Sequence, residues 1–351
     1  MTKHILIKFS ILAFLASTLF TTCTKEVDFA SLVERNGIKY EVNSDEGYTG
    51  NSVGYHENGQ KAIQCSFIDG EFNSKYSEWF TNGQLKKDCT YSNGVLVGSY
   101  REYYESGQIK TECGYVEGLL DGDSLEFWDD GKSRFTGHYS LGKKNGEHLS
   151  INEDEMIFKL ETFLDDSLHG KRVNYWENGL VRDSGLYSLG KAINEHFSYY
   201  VSGQVKEKAL FDSVGNTILF EQYDKNNNLE YISKYHDNHI VQQKNYSNTG
   251  QLISITDDST KLGIDFKRYR FYRNGKLWSD SQGENGWESI YWSNGKVKEK
   301  HQLKQFKKNG RFYEYKEDGT LWITGFYKNG KQTGLWKWYD TDGNVVEESY
   351  Q

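Results

Sequence analysis

The residues with the most chemical promise are three cysteines, an acidic-amide run and a histidine pair. Cys65, Cys89 and Cys113 are spaced 24 residues apart. That regularity could suit a thiol ladder, a metal site or a redox centre. Asp224, Asn226 and Asn228 alternate as the opening ligands of a calcium loop would. Such a loop needs glycine at its sixth position and a bidentate carboxylate at its twelfth, where this chain has Leu229 and Tyr235. His236 and His239 stand three apart with no third ligand placed near them, and the nine histidines share no evident column. No nucleophile motif, glycine-rich phosphate loop or paired-carboxylate constellation is present. The expectation is a protein that is not an enzyme and takes no cofactor or metal.

Composition points to the elements that must carry these residues. Aromatics reach 15%, with 26 Tyr, 19 Phe and 9 Trp, while hydrophobic residues make up 36%. There are 35 Gly and no Pro. A chain of continuous strands, in which nearly every N–H joins a ladder, explains the missing proline. A net charge of −8 gives no electrostatic footprint for nucleic acid.

Turn signals recur at a fixed period. Glycines that close Asx-Gly or Ser-Gly turns fall at 59, 83, 107 and 131, then at 179, 203, 275, 295, 319 and 343, with Thr-Gly at 250. Worn copies fit at Glu155 and Asn227, giving thirteen turns. Four residues before the turn stand Tyr55, Trp79, Tyr103, Phe127 and their counterparts to Tyr339, aromatic in twelve of thirteen copies. Eight residues after it, Phe67, Tyr91, Tyr115, Tyr139, Phe163, Tyr187, Phe211 and Tyr235 follow in succession. A second glycine often lies nine residues before the turn, as at Gly98, Gly122, Gly146 and Gly334. Each period reads as strand, tight Asx-Gly turn, strand, looser turn.

The repeat also reinterprets the cysteines. Equivalent positions are two strands apart, about 9–10 Å, beyond the reach of a disulfide. Later copies put Gly137, Gly185, Ala209 and Ser233 in the same slot, which marks it as a small-residue packing position. The Asp224–Asn228 run reads likewise as a degenerate hairpin turn.

The unit resembles the MORN repeat, in the bacterial variant of YwqK-type proteins. Phe326-Tyr-Lys-Asn-Gly-Lys-Gln-Thr-Gly-Leu-Trp-Lys-Trp-Tyr339 and Tyr291-Trp-Ser-Asn-Gly-Lys-Val-Lys298 carry the pattern. The likeness covers residues 45–351 and is weakest near 150–165 and 212–265. It implies an all-β fold, an elongated, twisted, single-layer antiparallel sheet of consecutive β-hairpins. Twenty-six strands would extend on the order of 120 Å.

The N-terminus reads as an address. Lys3 and Lys8 precede an apolar run from Phe9 to Phe20, too short for a comfortable membrane span. The following Thr-Thr-Cys23-Thr-Lys-Glu resembles a lipoprotein signal, although Thr22 departs from the usual small residue. This divides the chain into a signal at 1–22, a tether at 23–44 and repeats at 45–351. Cys23 would be lipidated, placing the protein at the outer membrane or cell surface; secretion or the periplasm is the alternative.

A second aromatic column, three residues before the turn, is the candidate binding surface: Phe80, Tyr104, Trp128, Trp176, Tyr200, Tyr272 and Trp292. Adjacent strand residues face opposite sides, so these rings point outward if the column beside them packs inward. A basic row three residues after the turn accompanies them, at Lys86, Lys110, Arg134, Arg182, Lys206 and Lys298. Rings and bases together could grip a protein, a glycan or lipid headgroups. The same pairs could also do no more than stabilise a two-sided sheet. The leading expectation is an envelope lipoprotein whose repeat sheet binds a protein partner. The resemblance also implies an antitoxin or immunity role, and a carbohydrate-binding repeat protein is a third reading.

Overall fold

A computed structural model describes residues 25–258 and 267–351. The signal segment and Cys23 lie outside the described residues. The chain divides into two units: one runs to Ile109 and includes 115–118, and the other holds 110–114 and everything from Leu119. Each is an open antiparallel sheet of consecutive hairpins, in which strands pair with their neighbours in sequence. In the first unit, Glu26–Asp28 adds in parallel to Gly50–Tyr55, and Val33–Arg35 pairs with Ile38–Tyr40. These strands fall within the stretch expected to be a tether. Leu32 and Tyr48 pack there against Cys65 and Phe67, both of which are almost fully buried.

Two kinds of connection alternate, and the structure reverses which is tight. Strands Leu85–Ser92 and Val95–Tyr103 meet through two residues, Asn93 and Gly94, with φ of 47° and 75°. This is a type I′ turn, whose twist matches that of the strands it joins. The Asx-Gly turn is longer. Phe80 N–H donates to Gln84 O at 2.8 Å and Gly83 N–H to Phe80 O at 2.9 Å, closing a loop over 80–84. Gly83 alone takes a positive φ there, 85°. The preceding Asn82 keeps an ordinary backbone, and its Oδ1 accepts the Gln84 N–H at 2.9 Å. A type I turn with a glycine bulge results.

The glycine nine residues before the turn marks a second bulge. Cys89 pairs with Tyr100 while Thr90 pairs with Val97, so the outer strand carries two extra residues around Gly98, at φ 68°. In a later copy Asn194 holds the same position at φ 59°, as an asparagine can.

This bulge creates the core. It brings the residue seven before each turn opposite the small residue six after the previous one. Cys89 pairs with Tyr100, and His301 with Phe312, across such bulges, while Tyr76 pairs with Cys89, His196 with Ala209, Phe220 with Ser233 and Phe312 with Gly325 across the Asx-Gly turn of one hairpin, continuing the same row. The result is a core one residue wide, and most of the deeply buried side chains lie on it. In most copies small and large residues alternate, with His301 against Phe312 an exception. A Cβ on Gly325 would come within 2.2 Å of the Trp336 ring, and one on Gly185 within 2.2 Å of His196. The aromatics eight residues after the turn flank the row edge-on. His148 lies 5.2 Å from Tyr139 and 5.0 Å from Phe163, a favourable ring geometry.

The cysteines belong to this row and act as small packing groups. All three are buried, and burial pushes the Cys65 thiol up to about 12. A thiol held protonated in this way is a poor nucleophile and a poor metal ligand.

Candidate functional site

The seven aromatics expected to form the binding surface all occupy one structural position, the first residue of the Asx-Gly turn. Each backbone N–H donates to the carbonyl four residues on, at 2.8–2.9 Å, from Phe80 to Gln84 through Trp292 to Lys296. Their backbones are therefore fixed, and all seven side chains are half-buried.

The side chains lean along the turn edge into the next repeat. Tyr200 Oη donates to Tyr223 O at 2.9 Å, Tyr272 Oη to Tyr291 O at 2.7 Å and Trp292 Nε1 to Tyr315 O at 3.1 Å. His56 reaches Trp79 O at 2.9 Å from the same position. In each case the acceptor is the carbonyl of the aromatic four before the following turn. Trp128 and Trp176 are exceptions, with buried Nε1 groups that have no hydrogen-bond partner. An unmet buried N–H is costly.

The basic row meets these rings. Arg134 stacks 4.9 Å from the centroid of Trp128, Arg182 5.8 Å from Trp176 and Lys298 4.5 Å from Trp292. The bases also have acidic neighbours: Arg182 Nε is 3.0 Å from Asp183 Oδ2 and Lys86 Nζ is 3.4 Å from Glu78 Oε2. The two columns thus form ring–cation–carboxylate sets within single hairpins, while the hydroxyl and indole groups reach the next repeat. Tyr272 and Arg273 also line a shallow groove beside Ser247, Thr249 and Phe271.

Turn asparagines supply a second brace that inspection of the sequence missed. Asn58 Nδ2 donates to Thr81 O at 2.7 Å, and Asn82, Asn178 and Asn294 donate to Glu105, Val201 and Glu317 carbonyls at 2.9 Å. Asparagine is needed because its Oδ1 caps its own turn while its Nδ2 reaches onward. Aspartate can do only the first. Where Asp130 replaces it, Lys132 Nζ bonds the Glu153 carbonyl of the next repeat at 3.0 Å. Asn82→Asp should accordingly cost about 1 kcal/mol. Urea denaturation of the two proteins, with no change in m, would check that figure.

Asp224 is consumed by its turn. Its Oδ1 accepts the N–H groups of Asn226 and Asn228 at 2.8 Å, and its Oδ2 accepts Asn228 Nδ2 at 3.0 Å. Those hydrogen bonds, the Asn228 amide first, hold its carboxyl below the usual range. His236 and His239 are a cross-strand pair flanking another two-residue tip.

Two of the nine histidines do share a position. His148 and His196 both stand seven before a turn, and their Nε2 groups meet His138 O at 3.0 Å and Leu186 O at 2.8 Å. Each ring serves a carbonyl beside the bulge. His301 differs: it takes the small-residue slot and is 2% exposed. Its Nε2 is 3.1 Å from Glu288 Oε2, and its Nδ1 is 2.8 Å from Glu299 Oε1 as an ion pair and not as an aligned hydrogen bond. Lys308 pairs with Glu299 as well. Burial alone would lower the imidazole pKa, but the Glu288 and Glu299 contacts outweigh it and raise the value. The bond from His301 in turn lowers Glu288.

Comparison with known proteins places this geometry. The MORN repeat variant model matches residues 73–93, 96–117, 308–329 and 332–351. No curated protein matches the chain. Among solved structures, a crystal structure of TcdB2-TccC3-TEV aligns at 10% identity over 90% of this chain and 20% of that one, with a TM-score of 0.18. A Photorhabdus luminescens Tc holotoxin pore aligns at 11% identity over 90% and 22%, with a TM-score of 0.14. The chain spans about a fifth of the length of these structures, and such scores carry no argument about fold or function. What the matches and the strand register together establish is a sheet of β-hairpin repeats that includes MORN-variant repeats at four positions.

Proposed function

We propose that this protein is a non-enzymatic, lipid-anchored component of the cell envelope whose repeat sheet binds a protein partner. The observation supporting the binding role is an apolar patch in the second unit. Trp322 and Phe326 lie on the same face of strand Leu321–Lys328 and are 42% and 46% exposed. Across from them, Arg311 pairs with Phe326 and Tyr313 with Thr324. Leu335 on the next strand is 41% exposed, and Lys337 pairs with Thr324. Grouped apolar side chains with a basic rim mark interaction sites more often than scattered ones do. The residue equivalent to Trp322 is basic in several other copies, as at Lys86, Arg134 and Arg182.

The deciding experiment is crosslinking capture from intact cells with wild type and with Trp322→Ser/Phe326→Ser. The expected result is a partner recovered with wild type and lost with the folded variant; identical recovery would refute the assignment. The anchor rests on the N-terminal sequence. Cys23→Ala should move the protein from the membrane to the soluble fraction, and unchanged fractionation would rule lipidation out.

A further inference from the structure

The chain is acidic overall, yet residues 296–337 hold eleven Lys or Arg against four Asp or Glu. Residues 119–166 are the reverse, with twelve Asp or Glu against five Lys or Arg. Both stretches lie in the second unit. The excess is placed at turn tips. Lys304 pairs directly across the strands with Lys307, flanking Gln305–Phe306, and Lys328 pairs with Lys331, flanking Asn329–Gly330. All four lysines are exposed, and among the described residues none has a carboxylate within 4.0 Å.

Like charges set directly opposite one another destabilise a sheet. The same positions at other tips carry Ser92 with Val95, Ser140 with Lys143 and Ser188 with Lys191. Two adjacent hairpins therefore accept a cost that those tips avoid. Phe306 adds to it, a bulky residue 59% exposed at φ 61°, where side chains other than glycine are strained.

The complementary surface is a turn in the acidic stretch. Glu153, Asp154 and Glu155 are consecutive and exposed, in the loop closed by Asn152 N–H to Met156 O at 3.0 Å. Among the described residues none of their carboxylates has a basic group within 4.0 Å, and the neighbouring turn adds Asp129 and Asp130, the latter paired with Lys132 at 3.2 Å, whose Nζ also bonds the Glu153 carbonyl. Successive tips on either edge of a hairpin ladder are about 9–10 Å apart, so the acidic and basic tips share one spacing.

We propose that the lysine-flanked tips at 304–307 and 328–331 dock the acidic turn at 153–155 of a second copy of this chain. Because the two surfaces differ, the contact is heterologous and propagates head to tail. It uses neither the apolar patch nor the anchor.

Sedimentation velocity of the full chain tests this. Wild type should associate with rising concentration at about 20 mM salt and return to monomer at about 500 mM, where the screening length falls to about 4 Å. Lys304→Glu/Lys307→Glu and, separately, Glu153→Lys/Asp154→Lys should each weaken association at least tenfold while leaving the circular dichroism spectrum unchanged. Mixed together, these two variants should regain association, since each keeps one native surface and the two reversed surfaces are complementary in charge. Wild type that stays monomeric at low salt, variants that still associate, or a mixture that stays monomeric would each overturn the proposal. Retained association in Trp322→Ser/Phe326→Ser separates this contact from partner binding; its loss would overturn the independence stated here.

Discussion

Trp336→Ala is expected to cost about 3–5 kcal/mol, the range for removing a large buried aromatic. Trp336 is 2% exposed and packs 5.3 Å from Phe312, 5.2 Å from Tyr327 and 6.2 Å from Tyr350. In a core one residue wide, no second layer can collapse into the space left. Repeat arrays also couple mainly to their neighbours, so the loss should be local. Hydrogen exchange in strands Leu321–Lys328, Lys331–Tyr339 and Val345–Tyr350 should accelerate strongly, while strands before Tyr223 keep their protection.

The reciprocal change makes the test specific. Gly325→Ala should cost about 1–3 kcal/mol by overpacking, because its Cβ would meet the indole at 2.2 Å. In the Trp336→Ala background the same substitution should be close to neutral. That coupling is what a double-mutant cycle reads. Additive costs in denaturant titrations would show that the pair does not share one space.

His301→Gln is the second large expected effect, about 3–5 kcal/mol near pH 6, the usual cost of breaking a buried ion pair from one side. It would leave Glu288 and Glu299 facing each other without the cation between them. The sign with pH follows from the raised imidazole pKa. The stabilisation is fully present below the ordinary histidine value of about 6.5 and fades as pH rises through the higher folded value. Stability measured at a series of pH values should therefore show wild type and variant converging as pH increases. A constant gap would mean that His301 is not titrating against the two carboxylates. Glu288, lowered mainly by its bond from His301, makes its own contribution above the ordinary carboxyl value, and that part is lost only in acid.

Much of this architecture is legible in the sequence. Turn glycines 24 residues apart, aromatics at fixed offsets and the absence of proline define the hairpin ladder. Periodicity also identified the cysteine slot as a place for small residues. The residue seven before the turn escaped notice because its identity varies freely, from Tyr76 and Ser124 to His148, Phe220 and Trp336. Each is matched to one small neighbour across the strands and not to its own copies. That pairing depends on the two-residue bulge at positions such as Gly98, which shifts the register by an amount that spacing does not reveal.

The aromatic turn column shows the same division. Its residues were readable as a set, together with the basic row that now stacks on three of them. Their acceptors were not readable, because Tyr200, Tyr272, Trp292 and the turn asparagines bond backbone carbonyls of the next repeat. Every residue has a carbonyl, so such an acceptor leaves no mark on the sequence. The cluster of Glu288, Glu299, His301 and Lys308 was hidden for a related reason: three adjacent strands must be in register before the four charges meet. By itself the sequence determined the hairpin period, the all-β class and the cysteines' role as small packing groups, because local turn chemistry and side-chain size repeat with the chain. The tertiary structure alone decided which turn is tight, where the single-file core runs and which charges are buried together, because these depend on cross-strand register and on bulges that shift it.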